Sequence, residues 1–194
     1  MDNNIILNFK KTIKHLIDIP DEKIEYFVSL SVQNIYKKGD YFSTVENPSE
    51  NLGFITKGLV RVFVIDQEGN EATLNFRAEN NFTSAHGGII LNNLQPVYIQ
   101  ALEDSEIYTI PRDEFVELWK KDSVWKDMLQ IITEYDSLQL REREINSLLY
   151  DAKTRYFKFM KDFEVFAERI KIRYISSYLG ISAETLSRIR SAQI

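Results

Sequence analysis

Cysteine is absent from the 194 residues, which excludes a disulfide framework, thiolate metal sites and a cysteine-held iron–sulfur cluster. Histidine is almost as scarce. His15 and His86 are the two imidazoles, too few for a histidine-rich metal centre or for the His/Glu cluster of a metal-dependent barrel enzyme. No metal, no cofactor and no enzymatic role are expected. No apolar run approaches the roughly 20 residues that span a bilayer. Met1–Ile6 has no basic segment leading into an apolar one, so a signal peptide is not expected either and the chain reads as cytoplasmic.

Positive charge is in deficit overall, with 24 Lys/Arg against 29 Asp/Glu and a net charge of −5. The deficit is uneven. From Asp151 onward nine Lys/Arg stand against five acids, a balance of +4, so the rest of the chain carries −9. A basic end on an acidic body is the asymmetry expected where one end meets phosphates.

That basic end is also the most informative stretch. Ile172, Ile175 and Leu179 recur at helical spacing and predict a helix with one apolar face. Gly180 comes next, where a left-handed backbone ends a helix at least cost. Ile181 plugs the turn, and Ser182 is an N-cap for a second helix, able to accept from the amide of Glu184 or Thr185. Leu186 and Ile189 are expected to point inward, with Glu184, Ser187, Arg188 and Ser191 outward. Ser176 and Ser177 are small enough for a close helix crossing. The pattern predicts a helix-turn-helix. A hairpin made for packing alone has no need of Arg169, Lys171, Arg173, Arg188 and Arg190 around it.

Ser182-Ala183-Glu184-Thr185-Leu186-Ser187-Arg188-Ile189 resembles the recognition helix of the Crp–Fnr family of bacterial transcription regulators, whose core pattern is S-x-E-T-[VL]-[SG]-R. The resemblance runs from about Val32 to Arg190. It implies base reading by Glu184 and Arg188, with Arg188 donating to guanine and Glu184 accepting from cytosine. Ser182 and Thr185 then bond phosphates at the helix start. Lys171, Arg173 and Arg190 add attraction that weakens with salt. The implied partners are double-stranded DNA with a palindromic operator, a second copy of the chain, RNA polymerase and an effector not identified by the residues. No membrane partner is implied. Ala183 stands where close relatives of the cyclic-AMP receptor often carry a basic residue, so one operator step is expected to differ. Relatives usually continue into a β-hairpin wing, whereas this sequence stops at Ile194, so weaker or more salt-sensitive binding is expected.

Upstream, Ile5, Phe9, Ile13, Leu16 and Ile17 predict one helix, with His15 on it, and Pro20-Asp21 opens another carrying Ile24, Phe27 and Val28. From Val32 to Pro111 the period becomes two: Val32–Tyr36, two strands bent at Gly58 over Phe54–Ile65, Glu71–Phe76 after a polar loop, Tyr98–Leu102 and Glu106–Ile110. Short, regularly spaced strands predict a small antiparallel barrel or jelly roll. The spacing of Gly39, Gly58 and Gly69 resembles the cyclic-nucleotide-binding β-roll of the same family. Helical character returns at Arg112–Lys121, and Ser123–Tyr150 predicts one long helix. Met128, Ile131, Tyr135, Leu138, Glu142, Ile145 and Leu149 follow spacings of three and four along it. That is a heptad seam suited to pairing with a second copy, or a face covering the barrel. We favour pairing, with Met128, Ile131, Tyr135, Leu138, Ile145 and Leu149 as the dimer interface. An aromatic helix with Tyr156, Phe157, Phe159, Met160, Phe163 and Phe166 then supports the helix-turn-helix.

The fold class expected is α+β: an N-terminal antiparallel β-roll or jelly roll with flanking helices (1–122), a long dimerisation helix (123–150) and a helical helix-turn-helix domain without a full wing (151–194). In cyclic-AMP-binding relatives a glutamate bonds the ribose and an arginine pairs with the phosphate. Laid from Phe82 to Ala101, the glutamate position holds Ala85, the arginine position Gln95 and the next position Pro96. A buried phosphate without its arginine is strongly unfavourable, so cyclic AMP is not expected to bind in the usual way. Ser84, His86, Gln95 and Tyr98, with the Gly87-Gly88 amides, are the candidate lining for another small molecule, unless the roll binds none. The function expected is a homodimeric, sequence-specific transcription regulator. The alternative is a small-molecule-binding β-roll module with degenerate or weak DNA binding.

Overall fold

The computed structural model describes residues 7, 9–11, 17–88, 90 and 93–192. Ile5, Ile13, His15 and Leu16 of the expected first helix lie outside them, as does Ile89. The chain divides into two compact units, Met1–Val62 with Phe76–Glu134, and Phe63–Asn75 with Tyr135–Ile194. The division falls inside the long helix rather than at either of its ends, and it assigns a hairpin tip to the carboxyl-terminal unit.

Among the described residues ten strands form the β-roll: β1 (Val32–Tyr36), β2 (Tyr41–Ser43), β3 (Asn51–Lys57), β4 (Val60–Ile65), β5 (Glu71–Arg77), β6 (Phe82–Thr83), β7 (His86–Gly88), β8 (Asn93–Leu94), β9 (Tyr98–Ala101) and β10 (Ser105–Pro111). They order as β1-β10-β3-β6 and β2-β9-β4-β5, with β7-β8 as a separate pair. Within the first sheet β1 runs antiparallel to β10, Val32 opposite Thr109 and Tyr36 opposite Ser105. The antiparallel roll read from the period-two pattern is present, and sequence patterning missed only the shortest strands, β2 and β6 to β8.

Gly58 shows why the long strand run bends where it does. Its φ is +102°, and a Cβ there would sit 2.1 Å from Ser105 Oγ and 2.7 Å from Ser105 Cα. Backbone against backbone leaves no rotamer to relieve the clash. Gly58→Ala is therefore expected to destabilise the protein by about 2–4 kcal/mol, read as a lower melting temperature, whereas an unchanged melting curve would show that the corner can yield.

The core of this unit gathers Phe9, Phe27, Leu52, Phe54, Phe115, Trp125 and Met128 from helices and strands together. α1 (Asp21–Leu30) opens with Asp21 and Glu22 in its first turn, as expected, and buries Ile24, Phe27 and Val28. Acids there complement the positive end of the helix dipole. Phe27 stacks on Trp125 at a centroid distance of 5.4 Å.

Two further helices come next, α2 (Arg112–Lys121) and α3 (Ser123–Leu149). The seam expected along α3 needs one correction. Met128 is 1% exposed and belongs to the core, so the first member of the heptad run already packs within its own chain. Further on, Tyr135, Leu138, Ile145 and Leu149 are all exposed.

Asp151 stops the long helix and caps the next one, its carboxylate accepting from the Thr154 amide at 2.8 Å. α4 (Ala152–Asp162) buries Tyr156 and Phe159, while Phe157, expected in the same core, is exposed. Phe163 lies beyond the helix and packs on Phe159 (4.9 Å), Phe166 (5.3 Å) and Tyr178 (5.7 Å). α5 (Ile172–Leu179) and α6 (Ala183–Ser191) are the last helices among the described residues. No helix among the described residues is long and apolar enough to cross a membrane.

Candidate nucleic-acid interface

The turn joining α5 to α6 is fixed by backbone chemistry that its sequence dictates. Gly180 adopts φ +64° and ψ +39°. Its amide donates to Ser177 O at 3.3 Å and the Ile181 amide to Ser176 O at 3.1 Å, the paired closure that satisfies the last carbonyls of a helix. α6 then starts on Ser182, whose Oγ accepts from the Thr185 amide at 3.1 Å. Of the two amides within reach of Ser182, Thr185 is the one used. Ser182→Ala is expected to cost about 1 kcal/mol, with a matching fall in the melting temperature of the helix-turn-helix.

One buried residue orients α6. Leu186 is 0% exposed, and Ile189 is half-buried behind it. Glu184, Ser187, Arg188 and Arg190 consequently face outward and are exposed. Arg188 Nη2 donates to Thr185 Oγ1 at 3.3 Å, and Thr185 Oγ1 lies 3.1 Å from Ser182 Oγ. The carboxyl of Glu184 is held below the usual carboxylate range by its own backbone amide, then by the Ser182 hydroxyl, with Arg188 adding a smaller attraction. An acceptor-only carboxylate and a five-donor guanidinium thus stand on one exposed helix face.

α5 departs from expectation at one end. Ile175 and Leu179 are buried, but Ile172 is 38% exposed and Tyr174 fills the core in its place. Arg173 lies 4.5 Å over the Tyr174 ring, and it and Lys171 are both exposed at the helix start. Ser176 is buried, as its small size suggested, and its hydroxyl donates to Arg173 O at 3.0 Å.

Ser177 does something the sequence did not show. Its hydroxyl donates to Glu71 O at 2.8 Å and accepts from the Thr73 amide at 2.9 Å. Arg143 reinforces the same contact. It donates to Leu74 O (2.8 Å), Thr73 O (3.1 Å) and Tyr178 O (2.9 Å), and its guanidinium lies 4.4 Å from the Tyr178 ring centre. Burial lowers its pKa from the ordinary arginine value, yet the group stays protonated. A cation therefore meets the carbonyl end of α5, where the helix dipole favours it. Nothing in the local pattern around Arg143 signals this, because its partners lie 69, 70 and 35 residues away.

Residues 33–122 match the family model of the cyclic nucleotide-binding domain. No curated protein matches the sequence. FixK2 from Bradyrhizobium japonicum superposes with a TM-score of 0.76 at 18% identity, over 84% of this chain and 83% of that one. A transcriptional regulator from Eubacterium rectale, assigned to the crp/fnr family, gives 0.72 at 17% identity over 91% and 84%. The regulator CLP of Xanthomonas campestris, described as responsive to c-di-GMP, gives 0.70 at 16% identity over 90% and 91%.

The chain has the fold of the Crp–Fnr regulators.

The candidate effector residues of the roll lie on β7, on β9 and in the turns beside them. His86–Gly88 is a strand, its His86 opposite Leu94 and Gly88 opposite Asn93. Of the Gly87-Gly88 backbone considered as an anion cradle, both residues are in the strand, Gly88 paired and Gly87 at a register shift. Ala85 is buried and its carbonyl accepts from the Gln95 amide at 2.8 Å, which brings those two candidate positions together. Pro96 is exposed and Ser84 half-buried. Tyr98 lies elsewhere: its hydroxyl donates to Glu46 Oε1 at 3.0 Å, and that bond raises its pKa. Among the described residues no cluster of His, Asp and Glu is arranged to hold a metal ion.

Proposed function

We propose that this chain is a sequence-specific, DNA-binding transcription regulator acting as a homodimer and not as an enzyme. The observation that carries the reading is the orientation of α6. Leu186 anchors the helix from within, and Glu184 and Arg188 remain exposed on the opposite side. Such a helix fits the major groove, its first turns at the base edges. Glu184 and Arg188 read bases, Ser182 and Thr185 set the register against phosphates, and Lys171, Arg173 and Arg190 supply sequence-independent attraction. Paired through α3, two such helices meet grooves about 34 Å apart on a near-palindromic site.

The effector is proposed not to be cyclic AMP held in the usual way. Ala85 and Gln95 cannot replace the ribose-binding carboxylate and the phosphate-binding guanidinium, since neither side chain carries charge.

Mapping bound sites across the source genome tests the reading as a whole. The expected result is a recurring half-site in inverted repeat. Purified protein that leaves no footprint on such sites, yet binds a small molecule, would reduce the chain to a sensor module.

A further inference from the structure

The carboxyl-terminal unit contains a cavity of about 410 Å³, a volume suited to a small organic molecule. Its walls come from the end of α3, the length of α4 and the α5 turn. Leu140, Phe159 and Leu179 supply an apolar side, and Arg143, Arg155 and Lys158 supply three cations.

These cations are not equivalent. Arg143 is committed to three carbonyls and a ring. Lys158 Nζ lies 5.2 Å over the Tyr150 ring. Arg155 is different, because its Nε is buried and has no hydrogen-bond partner. A buried N–H donor left in that state has given up its water without gaining a partner, and groups of this kind call for an explanation. Asp162 and Glu144 also line the cavity, and no described carboxylate lies within ion-pair distance of Arg155. Burial raises the Asp162 pKa, and the charge of Glu142 adds to the shift.

We propose that this cavity is a binding site for a small organic monoanion, a single carboxylate on an apolar body. Arg155 meets the carboxylate, with Lys158 beside it, and the body lies against Leu140, Phe159 and Leu179. Charge selects one negative group over two. Three cations against Asp162 and Glu144 leave the lining at +1, so a monoanion neutralises the cavity and a dianion such as a phosphate monoester overcharges it. Leu140 is exposed and offers apolar surface to an occupant. An occupant touches Tyr178, Leu179 and Gly180, the residues that end α5 and aim α6. Occupancy would therefore change DNA affinity, a consequence that rests on the DNA-binding reading above, whereas the site itself does not.

The test uses the full chain and two probes, phenylacetate and hexanoate, titrated by calorimetry without DNA. One probe or both should bind once per chain. The neutral phenylacetamide and the dianion phenyl phosphate should bind at least roughly tenfold more weakly. Arg155→Met should lose roughly tenfold or more in affinity, and Arg155→Lys, which keeps the charge, should retain part of it. Circular dichroism of both variants separates a lost site from a lost fold. Absence of binding by both carboxylates, or equal binding by the amide, overturns the proposal, as does an Arg155→Met variant that is folded and binds unchanged. Repeating the titration on operator-bound protein then reads the coupling: a shift in DNA affinity supports it, and no shift removes the coupling while leaving the site. Should the chain bind no DNA at all, calorimetry still decides the cavity.

Discussion

Arg188→Ala is expected to lose about 1–3 kcal/mol on the operator, roughly 5- to 150-fold in affinity, and to lose little on random duplex. The asymmetry comes from the role of the guanidinium. A bidentate contact to guanine exists only at the right base pair, whereas attraction to phosphate exists everywhere. Arg188 is exposed, and its hydrogen bond to Thr185 is a weak one at 3.3 Å, so little folding stability goes with it and the loss is one of recognition. Selection of operator variants against the mutant should show relaxed preference at one base pair of each half-site. Lys171→Gln is the contrasting control. It should weaken all sequences alike and reduce the magnitude of the slope of log affinity against log salt by about 0.9 per chain. Equal losses on operator and random DNA for Arg188→Ala would remove it from base reading.

Elements whose causes are local were legible in the sequence. The α5–α6 turn is an example: Gly180 permits the left-handed corner and Ser182 caps α6, and both effects act within a few residues. The period-two strands of the roll and the course of α3, to within a residue of its end, were legible from side-chain periodicity in the same way. Distant causes were hidden. Ser177 reads as a small residue for a helix crossing, yet its hydroxyl is spent on Glu71 and Thr73. Arg143 reads as one more charge on a polar helix face, and it bonds three carbonyls. Met128 and Ile172 sit on correct apolar stripes, but periodicity cannot say which end of a stripe the core reaches. The candidate effector residues split for a related reason. Ala85 and Gln95 are joined through the backbone, which side-chain chemistry does not encode, while Tyr98 is taken by Glu46 across a gap of 52 residues.

The larger effect is expected from α3. With Met128 withdrawn into the core, the proposed pairing face runs through Ile131, Tyr135, Leu138, Ile145 and Leu149, where Leu138 is 62% and Leu149 68% exposed in the single subunit. Leucines left this open along one seam are costly to solvate, and burying each contributes roughly 1.5–3 kcal/mol. Replacing Leu138 and Ile145 together by glutamate places four carboxylates in a paired seam, two from each copy, where desolvation and mutual repulsion both oppose association. The double variant is expected to sediment as a monomer at concentrations where the parent is a dimer, with its circular dichroism unchanged because neither side chain serves the core of its own subunit. Operator affinity should then fall by roughly 100-fold or more. Two half-sites bound from one rigid dimer gain an effective concentration that separate subunits lack, and a lone α6 retains only its own contacts. Binding to an isolated half-site should be nearly unaffected. A parent protein that sediments as a monomer, or a double variant that remains a dimer, would place the interface elsewhere and take the 34 Å spacing of the two recognition helices with it.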